Sequence, residues 1–204
     1  LLIGREFTMK ALQEAMVQDK LLVLVAQRKA EIDDPTFDDL YTVGIVARVL
    51  QVMKVPNGTL RVLVEGITRC RIESFIRSGD YFSAQISLPE VQPESNVREL
   101  EALSRSVAEK FAEYVRMNRR IPDEVLVTLA SIENHEQQAD TIAAHILQKI
   151  ETKQKMLEAF GVRERLELLA RLLKEEIEIL KIEQKIDGSV RESMSRSQRE
   201  YYLQ

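Results

Sequence analysis

The residues from which chemistry would first be sought in this 204-residue chain are two histidines, one cysteine and seven scattered glycines. His135 and His145 lie ten positions apart, and with Cys70 as the only thiol no metal-ligand spacing exists. His145 falls in the apolar run "IAAHI", with no nucleophile placed to pair with it, and reads as a packed or interfacial side chain. Cys70 stands between Arg69 and Arg71. Two guanidiniums would lower a thiol pKa, but on a predicted strand the plainer reading is a buried, inert thiol. No glycine precedes a lysine, so the phosphate loop G-x-x-x-x-G-K-[ST] is absent and no ATP site is expected within this stretch.

Charged clusters add little. The run "RKAEIDDPTFDDL" (28–40) is acidic, but its spacing is not that of an EF-hand loop, and a solvated loop is the preferred reading. The basic groups "RMNRR" (116–120) and Arg69–Arg71 lack the interleaved aromatic residues that stack bases. The sequence therefore assigns no catalytic, cofactor-binding or metal-binding residue. Five apolar residues in predicted turns and loops, Ile32, Phe37, Val55, Phe75 and Ile76, are candidates for an exposed patch that contacts a partner or an unfolded chain; core packing is the alternative.

Composition narrows the class. At 45% hydrophobic and 30% charged residues with net charge −4, the chain suits a soluble fold with no general attraction to nucleic acid or anionic lipid. No apolar run approaches the ~18 residues of a membrane helix. A single cysteine suits a reducing cytoplasm. The absent initiator methionine and the capless C-terminal end suggest a piece of a larger protein.

The elements divide by period. A short amphipathic helix is expected over 4–20 with Gly4 as its cap, followed by a strand at 21–27 buried on both faces. From 41 to 91 the pattern is β. Gly44 marks a bulge or a close backbone approach. Asn57-Gly58 marks a hairpin, Gly66 a further turn, and Ser78-Gly79-Asp80 another. The expected fold is α+β: a small, bent antiparallel lobe, a partly closed barrel, with one helix (1–91), then a helical bundle (92–180) and an extended helix (181–204).

In the bundle, Leu100, Leu103, Val107, Phe111 and Tyr114 recur at helical spacing. Residues 152–160 are expected to form a fourth bundle helix, stopped by Gly161 as its C-cap glycine. The last helix carries Val162, Leu166, Leu169, Leu173, Ile177 and Leu180 on one face, and would extend roughly 65 Å if continuous. Its second half is read as losing that face. Gly188 costs a helix about 1 kcal/mol relative to alanine and is the hinge candidate.

Read together, "GRE" (4–6), "LVAQ" (24–27), "DDLYTVGIVA" (38–47), "VPNGTLRVLVEG" (55–66), "RRIPDEVL" (119–126), "ADTIAAHI" (139–146), "KQKMLE" (153–158) and "SQREYYL" (197–203) resemble the N-terminal region of bacterial Lon, the ATP-dependent serine protease, nearly end to end. The family's first strand would precede Leu1, and its ATPase and Ser–Lys protease modules would follow Leu203. The resemblance implies a substrate-recognition domain of a cytoplasmic, homohexameric enzyme that degrades misfolded and selected regulatory proteins. ATP and Mg would serve the ATPase module, and no catalytic residue falls in this stretch. The isolated chain is expected to be a monomer or weak dimer. Two other classes fit less well: a free-standing protein-interaction adaptor of the same fold, and an RNA-binding module, which the net negative charge disfavours.

Overall fold

The computed structural model describes residues 1–118, 120–146 and 149–202, with side chains through residue 196. Arg119 of the basic cluster and the last two residues of the 181–204 helix lie outside the described residues. The chain separates into two compact units, Leu1–Gln92 with Gln148–Phe160, and Pro93–Leu147 with Gly161–Gln204.

The first unit contains β1 (Leu2–Ile3), α1 (Glu6–Val17), β2 (Leu21–Leu24), a 3₁₀ turn (Phe37–Asp39), β3 (Val43–Lys54), β4 (Leu60–Ser78), β5 (Tyr81–Ser87) and α5 (Ile150–Glu158). All strand pairings are antiparallel. The sheet runs β1-β4-β3-β2, with β5 also on β4. It is open: β2 pairs with β3 and β5 with β4, and the two do not pair with each other among the described residues. The partly closed barrel expected from the meander is thus corrected to a bent, open sheet, because β5 returns along residues 71–78 of β4 instead of reaching β2.

Local sequence explains much of this unit. Gly58, at φ +82°, closes the β3–β4 hairpin, and the Gly58 amide donates to the Val55 carbonyl at 3.0 Å. A Cβ at Gly44 would run into the Leu24 carbonyl oxygen, so the close approach of β3 to β2 is real. Gly66 makes no turn. It lies inside the 19-residue β4 opposite Ala47, where Val46 pairs with Thr68 and the register slips by one, leaving Ile67 as an extra residue. Arg5, not Gly4, stands at the head of α1. The helix buries Leu12 and Ala15, and Leu12 joins Ile3, Val49 and Val62 in a core cluster. Burying such aliphatic side chains contributes about 1.5–3 kcal/mol each. β2 is a half-buried edge strand rather than one buried on both faces.

Helix α5 departs from the sequence reading. Its period places it with the bundle, yet it packs on β3, where buried Gln154 donates from Nε2 to the Val43 carbonyl at 3.1 Å. The Arg71 guanidinium lies 5.7 Å from the centre of the Phe160 ring. Gly161 does not cap α5, whose C-terminal cap is Ala159; its carbonyl instead accepts from the Arg165 amide at the start of the next helix.

The second unit holds α2 (Val97–Met117), α3 (Glu124–Ala130), α4 (His135–Ile146) and α6 (Val162–Tyr202). Asn96 caps α2, its side chain accepting from the Glu99 amide. Leu100, Val107, Phe111 and Tyr114 of α2 and Leu166, Leu169, Leu173 and Ile177 of α6 are buried where these helices pack, and α4 adds Ala139 and Ile142. Arg165, 1% exposed, reaches Asp140 at 3.0 Å and Glu136 at 3.4 Å on α4. Arg163 grips Glu94 with two hydrogen bonds of 2.9 Å. Beyond Lys181, α6 does not lose its apolar residues: Ile182, Ile186, Val190 and Met194 recur every fourth position, all exposed.

Candidate functional site

The first unit gathers its aromatic residues at one place. Phe7 comes from the first turn of α1, Phe37 from the 3₁₀ turn, Phe75 from β4 and Phe82 from β5. Phe37 stacks on Phe75 with centroids 5.0 Å apart, Phe82 meets Phe37 at 4.9 Å, and Phe7 meets Phe82 at 5.3 Å in tilted geometry. The acidic loop delivers Phe37 through specific local bonds. Thr36 and Asp39 form a capping box, Arg28 lies over Tyr41 at 4.6 Å, and Arg5 and Gln27 both donate to the Ile32 carbonyl. Its two Thr36 hydrogen bonds lower the Asp39 carboxyl pKa.

Beside these rings lies a cavity of about 580 Å³, bounded by α1 and by residues of both β2 and β5. Phe7, Ala11, Leu22, Leu24, Phe82 and Ala84 give it a mainly apolar wall. Lys10 holds Asp80 at 2.5 Å, tying α1 to the β4–β5 turn and lowering the Asp80 carboxyl pKa. Such a lining suits contact with apolar groups. Among the described residues, no group of His, Cys, Asp or Glu side chains is arranged to hold a metal ion, and no helix is long and apolar enough to cross a membrane.

The five sequence candidates do not form one patch. Phe37 and Phe75 are brought together, half-buried and engaged with each other. Ile32 is half-buried in the loop that Arg5 and Gln27 hold. Val55 sits apart at the β3–β4 turn, half-buried. Ile76 is 51% exposed and, as the strand neighbour of Phe75, points to the opposite face. Sequence reasoning missed Leu50, Met53 and Leu63, exposed on the β3–β4 ribbon. Their signal was present, since each is a large apolar residue on a strand whose alternate positions are buried. Phe7 and Phe82 were missed because nothing local to either announces the other. His145 is exposed, with its ring 6.1 Å from that of Phe111. Cys70 is buried as expected, and burial raises its thiol pKa, so its two arginine neighbours do not activate it.

The first unit thus offers an open, β-rich sheet with an apolar cavity, and the second a helical bundle with one long helix. Residues 1–175 match the profile of the ATP-dependent protease La (LON) substrate-binding domain. The chain is 45% identical over 203 residues to the Lon protease of Escherichia coli strain K12, covering all of this chain and 26% of that protein. It is 43% identical over 201 residues to the Lon protease of Desulforamulus reducens, covering 98% and 25%. The fold is similar to that of the N-terminal domain of Mycobacterium avium complex Lon protease, with TM-score 0.64, 20% identity, and coverage of 85% of this chain and 90% of that one. It is also similar to a Lon N-terminal domain protein from Xanthomonas campestris, with TM-score 0.56, 12% identity and coverage of 83% and 85%. The chain belongs to the Lon substrate-binding domain family. It spans about a quarter of the length of the curated relatives it matches.

Proposed function

We propose that this chain is the client-recognition part of a Lon-type ATP-dependent serine protease that degrades misfolded and selected regulatory proteins. It holds exposed apolar segments of a client and passes them to an ATPase ring. The observation that carries this reading is the match of residues 1–175 to a substrate-binding family, on a unit whose sheet leaves Leu50, Met53, Leu63 and Ile76 exposed. Exposed apolar side chains on a stable scaffold offer weak, repeatable contacts to an unfolded chain. In a cytoplasmic homohexamer, six such copies would gain effective affinity through proximity. ATP and Mg belong to the ATPase module of the relatives, and the 204-residue chain alone is a monomer or weak dimer.

The test is photo-crosslinking of the chain to a thermally unfolded client, together with light scattering of that client as it aggregates. Capture of the unfolded but not the native client, with slower aggregation, is the expected result. Equal capture of both forms, or no capture and no effect on scattering, rejects the proposal.

A further inference from the structure

The two halves of α6 are supported differently. Between Leu166 and Ile177 its stripe of Leu166, Leu169, Leu173 and Ile177 is buried, and Arg165 and Lys181 tie it to α4 and α2 through Asp140, Glu136 and Glu113. Every residue of 181–196 is exposed, so this stretch stays helical without a buried face. Helices lacking tertiary packing are marginal in water. Within the exposed stretch Gly188 is the weakest position, since glycine loses the most backbone freedom on becoming helical. The next residue adds a second weakness. The Ser189 hydroxyl donates to the Lys185 carbonyl at 3.0 Å, a back-bond that competes with the helix ladder and favours bending. A Cβ placed on Gly188 meets nothing within 4 Å, so no close packing requires glycine there.

We infer that the turn around Gly188 is a hinge, at which the exposed end of α6 changes direction relative to the part packed in the bundle. The hinge is a property of this chain and stands whether or not the client reading holds. Under that reading, it lets the recognition units change orientation while a captured segment is pulled.

Amide hydrogen exchange on the 204-residue chain tests it, with Gly188→Ala as the informative variant and Ser195→Ala as a control in the same exposed stretch. Amides of 186–192 should exchange far faster than those of 166–177. Gly188→Ala should slow them about fivefold, the ratio corresponding to the propensity difference between the two residues. Ser195→Ala should slow them much less. Protection of 186–192 equal to that of 166–177 overturns the hinge. So does a Gly188→Ala effect no larger than that of Ser195→Ala, because the weakness would then be spread along the helix.

Discussion

Phe37 lies flat on Phe75, their ring planes 5° apart and their centroids separated by 5.0 Å. Phe37 also touches Phe82, so it links the acidic loop to both β4 and β5. Each ring is half-buried, so truncation should cost less than the ~3–5 kcal/mol of a fully buried phenylalanine. Phe37→Ala is expected to destabilise by about 2 kcal/mol and Phe75→Ala by somewhat less, since Phe37 has the additional ring contact. The double variant should show a coupling of about 0.5–1.5 kcal/mol in urea titrations. Strict additivity would mean that the stacking contributes nothing.

Ile76 tests recognition separately from stability. It is exposed on the face opposite Phe75, so Ile76→Ser should change stability by no more than about 0.5 kcal/mol. If the sheet surface holds clients, the same variant should reduce crosslinking to an unfolded client at least twofold. Combining it with Leu63→Ser should reduce crosslinking further. Unchanged crosslinking in the double variant would remove these two side chains from the client surface.

Gln154 reports on the unexpected partner of α5. Its amide donates to the Val43 carbonyl in a buried setting and also to Glu158. Gln154→Ala leaves the carbonyl without that donor and should cost about 1–3 kcal/mol. Gln154→Glu should cost at least as much, because it sets a carboxylate oxygen against a carbonyl oxygen. A Gln154→Ala variant as stable as the parent chain would show that the bond does not hold α5 in place.

This contact also shows where sequence reasoning reaches its limit. The Asn57-Gly58 hairpin, the close approach at Gly44 and the buried stripe of α6 were legible because each has a signal in the local sequence. The partner of α5 was not, because helical period identifies an apolar face but not the surface that covers it. Gly66 was misread because a glycine inside a strand and one at a turn look alike until the opposite strand is placed. The aromatic cluster was legible only in part. Phe37 and Phe75 drew attention as apolar residues near loops, whereas their meeting with Phe7 and Phe82 depends on four separate elements.

The Glu94–Arg163 pair sets a direction for acid stability. Hydrogen bonds from Arg163, then the Asn96 amide, then the guanidinium charge hold the Glu94 carboxyl below its ordinary value of 4.5. A carboxyl with a lower pKa in the folded state binds fewer protons there than in the unfolded chain. Its contribution is therefore complete above the unfolded pKa and is lost as the pH falls through the folded one. Asp80 beside Lys10 and Glu113 beside Lys181 shift the same way, so the parent chain should lose stability progressively below about pH 4.5. Arg163→Gln removes the principal cause of the Glu94 shift but leaves the other two pairs intact. The stability difference between the parent and Arg163→Gln, read from urea midpoints, should be constant from pH 7 to about pH 5.5 and shrink below pH 4.5. A difference that stays constant to pH 3 would show that Arg163 acts through packing rather than through the ionised Glu94.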